Sequence, residues 1–164
     1  MAANPKRLSL DTNVLFDLAK GRDFAHEFRE QFQKRGFALL LTPTVLIEVE
    51  FLLTFGNKAE QALAQEAYDQ VEKWRFTAFD LPEVQLTIAE KFSRQLQHHG
   101  LLPTEEFHDG VILAETSLGA IPMLVTSDKH LLDIDEDALL MAFNEADLLP
   151  VRPAHPKRLV KALR

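Results

Sequence analysis

The chain has no cysteine among its 164 residues. That absence excludes a disulfide scaffold, a thiolate metal site and a cysteine nucleophile, and it fits a reducing compartment. Long hydrophobic runs are also missing. The longest apolar stretches, such as Val45 to Leu53, are too short to span a bilayer and contain glutamates. Met1 to Arg7 carries charge but has no apolar segment behind it, so no signal peptide is read there; the expected protein is soluble, cytoplasmic and without a membrane partner. Positive charge is in deficit, with 18 Lys and Arg against 25 Asp and Glu, a formal net charge of −7. This argues against a protein that coats DNA or membrane through its net charge. It leaves room for an enzyme that gathers acids at a metal and keeps a local basic strip. Internal repeats, low-complexity tracts and interdomain linkers are absent too, and the length suits one domain over residues 1–164.

What is present is an alternation of short apolar runs with amphipathic stretches. Arg7–Leu10, Phe37–Leu41, Phe76–Phe79 and Pro122–Thr126 read as strands, with a further short strand expected at Leu139–Phe143. Helices are expected from Asp11 to about Lys20, Asp23–Arg35, Thr42–Phe55, Asn57 to about Arg75, Asp80–His99, Thr104–Leu118 and Pro156–Leu163. Phe24, Phe28 and Phe32 recur at i, i+4, i+8, an apolar stripe on one helix face. Asn57 with Glu60 has the spacing of a capping box, and Asp80 with Glu83 is read in the same way. Strands alternating with helices imply an α/β layered fold with a mainly parallel sheet. The segment 151–164 is basic and is expected as an appended C-terminal helix.

Ligands of open parallel sheets bind beyond the carboxyl ends of the strands. Two acids fall there: Asp11 after the first strand and Asp128 after Pro122–Thr126. Alone, Asp11 reads as a helix cap and Asp128 as a turn residue. Glu48 lies in a helix with Val45, Phe51 and Leu52 as same-face neighbours, a costly place for an acid unless it is paired or bound to a cation. Glu50 has apolar neighbours as well. The two point about 200° apart on a helix, so only one can face a common site, and spacing does not choose between them. Asp109 opens a late helix, with Glu105 and Glu106 on the same face; acidity in a first turn is also favourable to the helix dipole.

In combination these stretches resemble the PIN-domain nucleases, and among them the VapC-type toxins of toxin–antitoxin pairs. The matching segments are Leu8-Ser-Leu-Asp-Thr-Asn-Val-Leu15, Pro43 to Leu53, Phe107 to Ala114 and Leu124 to Asp128. The chain departs from that pattern after Asp128, where Lys129-His-Leu-Leu132 replaces an acid and an aromatic. The resemblance implies a PIN-like three-layer fold, a central mainly parallel sheet flanked by helices. It also selects Glu48 over Glu50, giving Asp11, Glu48, Asp109 and Asp128 as catalytic and metal-binding residues.

The implied chemistry is metal-dependent hydrolysis of RNA. Oxygen ligands without thiolates suit Mg²⁺ or Mn²⁺, as one ion or as two about 3.5–4 Å apart. Asn13, Thr126 and Ser127 are expected to orient a carboxylate or bind a phosphate, and His108 is read as a surface or packing residue. Arg152, Lys157, Arg158, Lys161 and Arg164, with no acid after Asp147, are read as a phosphate-steering strip, a partner-docking surface or a solvated helix face. A small antitoxin and a second copy of the chain are the implied protein partners. Two other readings follow the same fold: an RNA-processing PIN nuclease without an antitoxin, and a non-catalytic RNA- or protein-binding module.

Overall fold

A computed structural model describes residues 6–164. Residues 1–5, part of the Met1–Arg7 segment read above, lie outside the described residues. In chain order the elements begin β1 (Arg7–Leu10), α1 (Thr12–Ala19), α2 (Asp23–Lys34), β2 (Ala38–Leu41), α3 (Pro43–Phe55) and α4 (Lys58–Lys73). They continue with β3 (Thr77–Ala78), α5 (Glu83–His98), a 3₁₀ turn (Thr104–Glu106), α6 (Phe107–Leu118) and β4 (Met123–Val125). α7 (Lys129–Leu132), α8 (Glu136–Glu145), β5 (Arg152–Ala154) and α9 (Pro156–Ala162) complete the fold.

The strands pair in the order β3-β2-β1-β4-β5, and every pairing is parallel. Helices flank this sheet to give a three-layer α/β architecture. The central strands are almost wholly buried, as parallel strands covered on both faces must be. Leu10, Leu39, Leu41, Leu124 and Val125 form the middle of the core. Phe28 and Phe32 of α2 pack into it from the stripe read in the sequence, and Phe92 of α5 stacks on Phe143 of α8 with ring centroids 4.7 Å apart. α5 and α6 lie close together because Gly110 has no side chain: a Cβ there would collide with Ser93. No helix among the described residues is long and apolar enough to cross a membrane.

Several expectations need correction. Leu139–Phe143 is not a strand but part of α8, which is capped by Asp135 accepting from the Ala138 N–H; Leu139 and Phe143 are its buried i, i+4 pair. The last strand is β5, so the basic segment 151–164 supplies a sheet edge as well as a helix. The parallel sheet flanked by helices is as expected, with every strand pairing parallel. Asp80 does not cap α5. Its carboxylate accepts from Leu81 N–H, and the helix starts after Pro82 without a side-chain cap. The helix expected over Thr104–Leu118 is a 3₁₀ turn followed by α6. The Asn57–Glu60 capping box forms in both directions.

Candidate active site

The strand order reverses between β1 and β4: β2 and β3 lie on one side of β1, β4 and β5 on the other. A crevice opens at the carboxyl ends of two such neighbouring strands. Asp11, the first residue past β1, sits in it with 2% of its surface exposed. Its Oδ1 accepts from Thr12 N–H at 2.8 Å, while Oδ2 accepts from the Thr126 hydroxyl at 2.8 Å and from Asn13 Nδ2 at 3.1 Å. Asn13 also accepts from Ser127 N–H at 3.0 Å, and Thr126 accepts from Asp128 N–H at 3.0 Å. The end of β4 is thereby tied to the end of β1 through the Asp11 carboxylate. Burial pushes the Asp11 pKa up to about 6, against the hydrogen bonds from Thr126, Thr12 and Asn13 and with the help of Asp128.

Glu48 is carried on α3, whose N-terminus is held from outside. Thr42 caps the helix by accepting from Val45 N–H. The buried Glu115 of α6 accepts from Thr44 N–H at 3.1 Å and from the Thr44 hydroxyl at 2.8 Å. One turn after Thr44, Glu48 points to the crevice, whereas Glu50 is exposed. Burial pushes the Glu48 pKa up to about 7; the nearby Thr12 hydroxyl opposes the rise, and Asp11, Glu115 and Glu106 add to it. His108 at the rim places Nδ1 3.6 Å from Glu48 Oε1.

Asp109 lies in the first turn of α6 beside Glu106 and Asp128. Carboxylate oxygens of these three lie within 4.8 Å of one another. Asp109 Oδ2 is buried and meets no donor. Its neighbours Glu106 and Asp128 are themselves acceptors, so a hydrogen bond there requires a proton on one of the carboxyls. Burial first, then these two acids and Asp11, hold the Asp109 pKa well above the ordinary carboxylate range. Asp128 itself caps α7 through the His130 N–H at 2.9 Å. His130 Nε2 stands 3.8 Å from Glu106 Oε1. An orphaned buried carboxylate oxygen among all-oxygen donors fits a hard divalent cation, which would replace the missing proton.

Glu48, Asp109 and Asp128 are thus electrostatic neighbours of Asp11. Among the described residues, however, the carboxylates close enough to share one cation are Glu106, Asp109 and Asp128, without Asp11 or Glu48. Asn13 and Thr126 bond Asp11, and Ser127 reaches it only through Asn13. Thr126 and Asn13 orient the Asp11 carboxylate. The Ser127 hydroxyl instead donates to Asp17 at 3.1 Å. Glu106, Glu115 and the two rim histidines stood outside the set expected from the sequence. Glu106 was visible only as a same-face neighbour of Asp109, and the Glu115–Thr44 contact joins residues 71 apart, a pairing that helix periodicity does not reveal.

Among curated proteins none matches the chain in sequence. Similar solved structures include VapBC2 from Rickettsia felis bound to a fragment of its promoter DNA, with TM-score 0.60, 18% identity, and coverage of 90% of this chain and 98% of that one. VapBC-1 from nontypeable Haemophilus influenzae gives TM-score 0.56 at 16% identity, covering 90% and 97%. FitAB bound to the IR36 DNA fragment gives 0.56 at 16%, covering 92% and 95%. At these identities the likeness establishes the fold. Residues 8–137, a span reaching from the first strand into α8 and holding every acid of the crevice, match the PIN domain, and the chain thus belongs to the PIN-domain family.

Proposed function

We propose that this protein is a divalent-metal-dependent endoribonuclease, using Mg²⁺ or Mn²⁺, and the toxin of a toxin–antitoxin pair acting in the cytoplasm. The observation that carries the reading is the crevice between β1 and β4, where Asp11, Glu48 and Asp109 all have carboxyl pKa values raised first by burial and further by neighbouring acids, Asp128 for Asp11 and Asp11 for the other two among them. Repulsion of that kind is relieved by a cation.

Asp11 would be the central ligand, with Glu48, Asp109 and Asp128 completing one or two sites. When bound, the metal supplies charge neutralisation at the scissile phosphate and a water acidic enough to attack it. The chain's own groups fix the geometry. Thr126 and Asn13 hold the Asp11 carboxylate in one orientation, and the clasp of Glu115 on Thr44 sets the height of Glu48. The rim histidines stand beside the acids, His108 at 3.6 Å from Glu48 and His130 at 3.8 Å from Glu106. The toxin reading draws on the VapBC and FitAB complexes that share the fold, and it implies a small antitoxin and a homodimer. Ile47, Phe51 and Phe55 leave an exposed apolar stripe along α3 that a protein partner would cover.

Purified protein should cut RNA with Mg²⁺ or Mn²⁺ and stop in chelator. Asp11→Asn should abolish cutting, Glu48→Gln nearly so, and Glu50→Gln should be tolerated. Equal activity in chelator would remove the metal mechanism, and a dead Glu50→Gln beside an active Glu48→Gln would reverse the assignment on α3.

A further inference from the structure

We propose that the groove between α2 and α9 holds the sugar–phosphate backbone of the RNA strand that the acidic crevice cuts, an inference that rests on the ribonuclease reading above. The groove encloses about 660 Å³ and is lined by Arg22, Phe24, Lys157, Lys161 and Arg164, with Asp23 and Glu27 on its α2 wall. Lys157, Lys161 and Arg164 recur at i, i+4, i+7 and so share one face of the C-terminal segment. All three are exposed, as is Arg22 opposite. Glu27 is taken by Arg164 at 3.2 Å. Arg22, Lys157 and Lys161 form no ion pair among the described residues.

Such a surface is unusual on a chain of net charge −7. Holding unpaired cations together costs self-repulsion, and a polyanion removes that cost while releasing its own counterions. Lys157 and Lys161 are about 6 Å apart along the helix axis, the scale of successive phosphates on an extended strand. The half-buried Phe24 ring lies against the Lys157 ammonium at 5.1 Å and the His155 ring at 5.6 Å, which anchors the near end of the cationic row.

The groove also starts beside the crevice. Ala154, the last residue of β5, accepts from Thr126 N–H at 2.9 Å, and Thr126 is the residue whose hydroxyl holds Asp11. His155 follows and accepts from Lys157 N–H at 3.1 Å. From the same side, Asp17 accepts from the Ser127 hydroxyl at 3.1 Å; burial and the Lys157 ammonium lower the His155 pKa, and Asp17 opposes them. A strand leaving the acids past Ser127 would meet Lys157 first and Lys161 next.

The test compares the full-length wild type with Lys157→Gln/Lys161→Gln, with Arg22→Gln on the opposite wall, and with Lys73→Gln/Lys91→Gln as a charge-matched control outside the groove. Binding of a long labelled single-stranded RNA is measured in chelator over a range of salt. The lysine pair should weaken binding on the order of tenfold and lower the slope of log affinity against log salt by about 1.4, at about 0.7 for each phosphate no longer neutralised. Arg22→Gln should lower it by about half as much, and the control should match wild type. With Mn²⁺, the pair should raise KM for the long RNA and leave kcat, and the cutting of a trinucleotide too short to reach the groove, unchanged. If wild type cuts RNA and the groove variants bind and cut like the control, the groove proposal falls alone. If wild type neither binds nor cuts RNA, the ribonuclease reading falls and takes the groove with it. Displacement of RNA from wild type by poly-glutamate at equal charge, abolished in the lysine pair, would assign the groove to an acidic protein segment instead.

Discussion

Three carboxyls in the crevice have folded pKa values above their unfolded ones: Asp11 moves from 3.8 to about 6, Glu48 from 4.5 to about 7, and Asp109 lies higher still. A raised acid favours the folded state fully below its unfolded pKa, and that contribution is lost as pH rises through the folded value. The metal-free protein should therefore lose stability from about pH 4 upward, through about 6 and 7 for Asp11 and Glu48 and on to about 10 for Asp109. At about 1.4 kcal/mol per pKa unit, the buried Asp11 alone accounts for something on the order of 3 kcal/mol. Asp109→Asn should reverse part of this, because an amide nitrogen can donate to Glu106 or Asp128 where Oδ2 now meets no donor. The expected gain at pH 8 in chelator is about 1 kcal/mol. Saturating Mn²⁺ should then stabilise wild type more than the variant. Thermal melts at pH 5 and pH 8, with chelator and with Mn²⁺, decide it; a variant less stable than wild type at pH 8 in chelator would make Asp109 a structural helix residue. At this scale the sequence was partly legible. Asp11 and Asp128 could be placed by their position after strands. Glu48 could not be separated from Glu50 by periodicity, because α3 is apolar around both. Glu106 and His130 meet only through folding.

At the scale of elements, α3 delivers Glu48 through its attachment to α6, and the clasp is Glu115, which is 1% exposed. Glu115→Ala would leave the Thr44 N–H and hydroxyl unpaired in a buried place, at a cost of about 1–3 kcal/mol. On the proposed ribonuclease reading, cutting should fall through a lower kcat with KM little changed, since the proposed groove would hold the long RNA elsewhere. Glu115→Gln keeps an acceptor and should restore much of kcat; equal loss in both variants, with KM moving as well, would point to general unfolding rather than positioning. Elements were legible where caps and periodicity agreed, as at Asn57–Glu60 and the phenylalanine stripe of α2. They were misread where a short apolar run admits both periods. Leu139-Leu-Met-Ala-Phe143 reads as a strand by composition, yet Asp135 capping and the i, i+4 burial of Leu139 and Phe143 make it helical. β5 escaped notice because it has three residues with Pro153 in the middle, tolerable only at a sheet edge.

For the whole molecule, alternating strands and helices announced the layered fold, but the strand order was not readable, since it depends on which strand β4 joins. It joins β1, and the Thr126–Asp11 hydrogen bond spans 115 positions of sequence. This has a consequence in time. During synthesis, a chain that has reached Asp109 but not yet Met123 contains Asp11, Glu48 and Asp109 but lacks β4, the strand that closes the crevice around them. Closing so long a loop is also the slow kind of step in folding. Catalysis should therefore switch on late and all at once. In refolding from denaturant, RNA cutting should recover with the slowest structural phase rather than with the early helical signal; activity that leads that phase would show that the crevice assembles without β4. If the chain is the toxin proposed above, the order in which its strands leave the ribosome would shield the cell from half-made copies.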